Sequence, residues 1–302
     1  MLGATFLDLP YVVGGHANQK LDIRYPRSGT IPAAGLPAVL YIHGGGWWSG
    51  DKGDLVGDAR HEKCLDNGIA LIAVNYRLST THAYPAHIQD CKAALRWVRG
   101  NARRFRINPT RIGVWGASAG SHLGLVMALT PGVASLTDNG HGNVGQSESV
   151  SCCVSWYAPT QAKSCDTDFT AQAALPSGAA NGRGFAVCST SSQEARLLGS
   201  DAAPVNPCSA SDAVRDLADP VYWAANGTDL PPMRIQHGEK LDAVVPVGQA
   251  QRMRDAVIAR GRTFSSETAY HYEEIVGAGH GNAGWSDTTL VANTIAWLNT
   301  HL

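Results

Sequence analysis

The pentapeptide Gly116-Ala117-Ser118-Ala119-Gly120 is the stretch of this 302-residue chain best suited to covalent chemistry. A serine flanked only by glycine and alanine can occupy a turn too tight for larger neighbours, with its hydroxyl standing clear of the backbone. Such a hydroxyl attacks an acyl carbon when a base takes its proton and donors receive the charge that forms on the carbonyl oxygen. A second stretch, His43-Gly44-Gly45-Gly46-Trp47-Trp48, supplies candidate donors, because three consecutive glycines let bare backbone approach a substrate. Donors must lie about 2.7–3.1 Å from the oxyanion, and side chains at Gly45 or Gly46 would obstruct that approach. Gly45, Gly46 and Ala119 are the expected donors. Either stretch alone reads equally well as a flexible turn; their joint occurrence favours the chemical reading. His43 is expected to organise its loop and not to act as the base.

The elements that must carry these residues alternate. Pro37 to Ile42 and Ile69 to Tyr76 read as buried strands, Asp54 to Asn67 as a helix closed by Gly68, and Pro85 to Asn101 as an amphipathic helix with Ile88, Cys91, Leu95 and Val98 on one face. Arg111 to Trp115 is a strand that runs into the glycine elbow, and Ser121 to Leu129 is the helix leaving it, so the first amides of that helix face developing negative charge. Val150 to Trp156, Met233 to Gln236 and Thr268 to Val276 continue the strands; Val247 to Arg260 and Asp287 to Leu298 continue the helices. At the N-terminus, Phe6 to Val13 and Gln19 to Tyr25 read as an antiparallel pair around Gly14-Gly15. The expected architecture is α/β, a mostly parallel central sheet with an antiparallel N-terminal edge and helices on both faces, and the serine elbow between strand and helix resembles that of the α/β-hydrolase fold. The alternation fails once, in a Ser/Ala/Gly-rich segment from Pro159 to Ser211 that lacks clear periodicity. It reads as an insertion over the active site within one catalytic domain spanning residues 1–302.

In this fold the acid and the base follow the serine in chain order. Of eleven histidines, His271, His280 and His301 lie late enough. His271 falls inside a strand and His301 next to the C-terminus, whereas His280 stands in Gly277-Ala278-Gly279-His280-Gly281, a loop just past a strand end. His280 is the expected base. Between His237-Gly238 and Pro246 both Glu239 and Asp242 are candidate acids. Asp242 is preferred, because the apolar Ala243-Val244-Val245-Pro246 would bury its surroundings and favour a fixed bond to His280. Capping the following helix is its alternative role.

These residues resemble the feruloyl- and carbohydrate-esterase-like branch of the α/β-hydrolases, near the hormone-sensitive-lipase-like esterases. The resemblance rests on His43 to Trp48, Val74-Asn75-Tyr76-Arg77-Leu78, Asp90 to Trp97, Gly116 to Gly120 with His122-Leu123, Trp156-Tyr157-Ala158-Pro159-Thr160, His237-Gly238 with Asp242 to Pro246, and Gly277 to Gly281. It implies hydrolysis of carboxylic esters without metal or organic cofactor and places Ser118, Asp242 and His280 in the triad. The expected substrates are short-chain or aromatic esters, free or linked to a polysaccharide; an amidase or a polyester hydrolase on the same fold is the alternative. Activity is expected to fall when His280 becomes protonated.

Composition agrees with a small-molecule enzyme. Charged residues make up 16% of the chain and the formal net charge is -1, which gives no basic surface for nucleic acid, and no apolar run approaches the roughly 20 residues of a membrane span. Met1 to Asp8 show no signal-peptide pattern, as a mature secreted or periplasmic form would also show none, and the compartment is left open. Among seven cysteines, Cys64 and Cys91 are expected in the core, and Cys152 and Cys153 as buried thiols on opposite faces of a strand. One disulfide is expected among Cys165, Cys188 and Cys208, most simply Cys165 to Cys188. No pair has zinc spacing. Trp47, Trp48, Trp156, Tyr157 and Trp285 follow strand ends and are expected to line the substrate pocket or, alternatively, to pack beneath it.

Overall fold

The computed structural model describes all residues except Gly57, Ser266 and Glu267. An antiparallel hairpin, β1 (Thr5–Pro10) and β2 (Lys20–Arg24), forms one edge of the sheet. It is followed in sequence by β3 (Leu36–Ile42), β4 (Ala70–Val74), β5 (Ile107–Ala117), β6 (Cys153–Trp156), β7 (Met233–Gly238) and β8 (Tyr270–Ile275). The spatial order is β1-β2-β4-β3-β5-β6-β7-β8, with β2 antiparallel to β4 and every pair from β4 onward parallel. The helices are α1 (Ala59–Asp66), α2 (Ala86–Gly100), α3 (Ala119–Leu129), α4 (Cys165–Ala173), α5 (Gln193–Gly199), α6 (Asp212–Leu217), α7 (Pro220–Asn226), α8 (Gly248–Ala259) and α9 (Thr288–His301).

The sheet is covered on both faces. On β5, Ile112 and Val114 join Leu95 of α2, Leu123 of α3 and Met253 of α8, while Trp115 points the other way to Cys64 of α1 and Ile295 of α9. That two-residue alternation explains the adjacent cysteines: Cys152 belongs to the α1/α9 side and Cys153 to the α2/α3/α8 side, and both are buried. Cys64 and Cys91 are likewise buried. Helix α3 is apolar apart from Ser121 and His122, and every one of its residues is buried, as suits a helix that starts at the centre of a sheet. Arg77, after β4, grips Asp90 of α2 through Nε and Nη2, at 2.8 Å for the shortest contacts. Asp90 is fully buried, so this paired charge fixes α2 against the segment that follows β4.

Two expectations change. The helix expected from Asp54 to Asn67 is a short turn, Lys52–Leu55, followed by α1; Gly57 between them lies outside the described residues. The Pro159 to Ser211 segment, which lacks clear periodicity in sequence, folds two short helices, α4 and α5. Its disulfide joins Cys188 to Cys208, not Cys165 to Cys188. Cys165 is buried with Phe169 and Val187 and remains a free thiol. Cys188 and Cys208 instead converge on the Lys163 carbonyl, at 3.9 and 3.8 Å. Asp166 anchors the segment by accepting the Val187 and Cys188 amides at 2.8 Å each.

Candidate active site

The strand-to-helix turn between β5 and α3 holds Ser118 at φ 54°, ψ -125°, a strained conformation for a residue with a side chain. The turn closes only because its flanks are bare: a Cβ on Gly116 would come within 2.3 Å of the Gly120 carbonyl oxygen, and one on Gly120 within 2.0 Å of the Ile42 oxygen. The Ser118 amide donates to the Trp156 carbonyl at 2.9 Å, which ties the elbow to β6 and leaves the hydroxyl free to face the loops above.

His280 reaches that hydroxyl from the loop after β8, with Nε2 2.8 Å from Ser118 Oγ. Its Nδ1 lies 2.9 Å from Asp242 Oδ2. An ionised carboxylate only accepts, so Nδ1 carries the proton and donates, and the Nε2 lone pair is turned toward the serine hydroxyl. Asp242 is fully buried; its second oxygen, Oδ1, accepts the Val244 and Val245 amides at 2.8 Å each. Burial pushes the carboxyl upward, but the His280 hydrogen bond and charge, the His237 charge and the Val245 amide outweigh it and hold Asp242 below the usual carboxylate value. The helix-capping alternative fails in its literal form, since the amides Asp242 receives lie in the loop before α8. Glu239, the other candidate acid, has no contact with His280 among the described residues. His271 and His301 lie at the far end of the sheet, where His271 pairs with Glu273 at 3.5 Å and His301 Nδ1 meets the Trp297 carbonyl at 2.8 Å.

The glycine loop after β3 borders the same cleft, about 780 Å³ in volume, in which Gly45, Gly46, Ser118 and His280 share a wall. Gly45 and Gly46 adopt φ of 105° and 59°, the left-handed region that disfavours side chains. Neither their amides nor that of Ala119 meets a protein acceptor among the described residues. Donors left open beside a nucleophile are what an oxyanion requires. His43 is buried, stacks on Tyr76 at 4.4 Å, and sets Nδ1 2.7 Å from the Gly44 carbonyl, so it braces the loop. Burial lowers its pKa, against the Gly44 carbonyl and nearby Asp54 and Asp51.

The aromatics divide. Trp48 is 40% exposed and lines the cleft, and Tyr157 lines it with its ring 4.7 Å from that of His280. Trp47, Trp156 and Trp285, expected at the pocket, are instead at most 2% exposed. Each spends its indole N–H on support: Trp47 donates to His122 Nδ1 at 3.2 Å, Trp156 to Gln236 Oε1 at 2.7 Å, and Trp285 to the Gly279 carbonyl, beside His280, at 2.7 Å. Large rings with one donor suit packing under a site as well as lining one, and the sequence does not separate the two. Gln193 and Val244 also border the cleft. Gln193 comes from the irregular insertion, where no periodicity marks it. Among the described residues no cluster of three or more His, Cys, Asp or Glu is arranged to hold a metal ion, and no helix is long and apolar enough to cross a membrane.

Residues 21–257 match the model of the BD-FAE family. The chain belongs to that family. Its fold is the α/β-hydrolase fold: it superposes on a truncated carbohydrate esterase from gut microbiota with a TM-score of 0.80, at 22% identity over 99% of this chain and 96% of the other. It superposes on the tannin acyl hydrolase from Lactobacillus plantarum with a TM-score of 0.77, at 13% identity over 98% and 93%. In sequence it is similar to the carboxylesterase NlhH of Mycobacterium tuberculosis, 45% identical over 95 residues, which are 31% of this chain and 29% of that protein. The match thus spans under a third of the curated relative's length.

Proposed function

We propose that this BD-FAE family member is a serine carboxylic-ester hydrolase that works through an acyl-enzyme. The observation that carries the reading is the unbroken line Ser118 Oγ, His280, Asp242, with contacts of 2.8 and 2.9 Å, at the mouth of a cleft bordered by unpaired amides. In the proposed first step His280 Nε2 takes the Ser118 proton while Oγ attacks the ester carbonyl carbon. Gly45, Gly46 and Ala119 donate to the oxyanion, and the C–O bond to the alcohol breaks as His280 returns the proton to the leaving oxygen. Water, deprotonated by His280, then attacks the acyl-serine and releases the acid. Asp242 remains ionised throughout and holds the Nδ1–H tautomer.

The proposed substrates carry a short or aromatic acyl group. The cleft is open and short of deep apolar surface; Trp48 and Tyr157 offer ring faces to an acyl or sugar unit, and Ser49, Asp54 and Gln193 offer polar contacts to an alcohol such as a sugar hydroxyl. The reading treats residues 159–211 as part of the active-site wall of one catalytic domain. A hydrolysis panel of acetyl, butyryl, long-chain and feruloyl esters, with an anilide matching the fastest ester, tests it. Hydrolysis of the short or feruloyl esters well ahead of the anilide is expected. Activity confined to long chains, or equal rates on ester and anilide, would overturn it.

A further inference from the structure

The Asp242 carboxylate stands on an irregular loop, residues 239–247, between β7 and α8. Its direction is set by its own loop: Oδ1 accepts the Val244 and Val245 amides, so any shift of that backbone moves Oδ2 relative to His280 Nδ1. The loop is held from outside by the 159–211 insertion. Gln172 of α4, 2% exposed, donates through Nε2 to the Asp242 carbonyl at 2.9 Å and to the Ala179 carbonyl at 2.8 Å. Its Oε1 accepts the Val247 amide at 2.9 Å. One carboxamide therefore bridges Asp242, inside the acid loop, to Val247 at its end, with both N–H donors and the oxygen engaged. Arg183 donates through Nε to the Val244 carbonyl at 2.6 Å and through Nη1 to both Glu194 oxygens, at 2.7 and 2.9 Å. Backbone bonds from Ala179 to the Lys240 carbonyl and from Gly182 to the Ala243 carbonyl, 2.8 and 2.7 Å, complete the grip. The carbonyls of Lys240, Asp242, Ala243 and Val244 are thus all taken by the insertion. From Glu194 the line continues to its neighbour Gln193, whose side chain lies against Gly46 of the oxyanion loop.

We propose that Gln172 and Arg183 are positioning residues for Asp242, and that the insertion acts as a splint fixing the acid loop against the rest of the site. The proposal rests on the reading of Asp242 as the acid that orients His280. Without the grip, the loop's carbonyls lose their donors and the loop relaxes; the carboxylate then leaves the line to His280 although no catalytic atom has been changed.

The test is a double-mutant cycle on a short aryl ester. Gln172→Glu keeps the acceptor for Val247 but loses both donors, and Arg183→Lys keeps the charge beside Glu194 but cannot also reach Val244. Each single variant is expected to lower kcat by about 10- to 100-fold, the scale of a small misplacement remote from the reacting atoms, with KM changed less than about twofold. Combined with Asp242→Asn, each is expected to add less than about twofold, because the carboxylate it positions is gone. Equal fold losses in both backgrounds, or unchanged kcat with only a lowered Tm, would overturn the proposal. If Gln172→Glu does not fold, the Arg183→Lys cycle decides alone. Undiminished kcat in Asp242→Asn by itself would instead overturn the acid assignment, and this proposal with it.

Discussion

His280 Nε2 stands 2.8 Å from Ser118 Oγ, although 162 residues of chain separate them. The contact is made where two carboxyl strand ends meet: the elbow after β5 lifts the serine, and the glycine-bounded loop after β8 lowers the imidazole. Under the proposed mechanism the hydroxyl is needed for turnover while its backbone is under strain, at φ 54°. Ser118→Gly is expected to abolish ester hydrolysis, by at least about 1000-fold, and to leave the Tm equal to or above that of the wild type, since glycine relieves the positive φ. Differential scanning calorimetry beside a turnover assay reads both. A Ser118→Gly enzyme with substantial turnover would remove the serine from the mechanism.

Under the proposed mechanism Gly45 couples the oxyanion donors to the fold. A Cβ there would come within 2.2 Å of the Ser49 carbonyl oxygen at a φ of 105°, so Gly45→Ala cannot be accommodated without moving the loop. The expected result is a loss of about 1–3 kcal/mol in stability, the usual range for a side chain forced into a strained region, together with a fall in kcat/KM as the oxyanion donors are displaced. Urea unfolding and steady-state kinetics measure the two. Wild-type values for both would mean that the loop neither needs a glycine here nor serves the reaction.

The elements that position Ser118 were legible because they are built from local rules: a strand whose last six residues are all buried, two glycines and a largely apolar helix. The placement of His280 beside Ser118 was legible because glycines bracket it past a strand end, and that of Asp242 beside His280 because an apolar run follows it. The roles of the aromatics were not. Trp47, Trp156 and Trp285 stand in the same kind of position as Trp48 along the chain, and only tertiary packing decides which face cleft and which core. Residues 159–211 were least legible: short helices held by single side chains such as Gln172 and Asp166, and by a disulfide, carry no periodic apolar signal. The cysteine pairing depends on which face of α4 is buried, and that face is set by contacts with Phe169 and Val187.

The Cys188–Cys208 link closes a loop with a sequence separation of 20, in a segment whose own core, Cys165, Phe169 and Val187, is small. Cross-linking such a loop is worth about 3 kcal/mol in the chain-entropy account. The Cys188→Ser, Cys208→Ser double variant is expected to unfold the insertion first, seen as faster limited proteolysis between residues 174 and 210, with the Tm lowered. A free-thiol count on the unfolded, non-reduced wild type should find five thiols, those of Cys64, Cys91, Cys152, Cys153 and Cys165. A double variant as protease-resistant as the wild type would show that the bond does not support the segment.

Buried histidines set the acid limit of stability. Burial, reinforced by the charges of His122 and Arg77, pushes His87 down to about 3, and burial pushes His122 down to about 4 despite the Ala218 carbonyl beside it. Burial also lowers His43 and His237. In the unfolded chain each titrates near 6.5. Below that pH the unfolded chain takes up protons that the folded protein refuses, so stability is complete above about 6.5 and is lost as pH falls toward 4. Asp219 works in the opposite direction: burial raises it to about 6, over the opposing Tyr222 amide, so the folded state gains stability as pH falls from about 6 to 3.8. Four histidines outweigh one carboxyl, and Asp242, held below the usual carboxylate value, adds its own loss only below about 3.8. The Tm is therefore expected to decline from pH 7 to pH 4. His87 is fully buried and neither ring nitrogen has a hydrogen-bond partner among the described residues, so His87→Leu is expected to flatten that decline and to cost little at pH 7. A His87→Leu profile parallel to that of the wild type would show that His87 is protonated equally in the folded and unfolded chains.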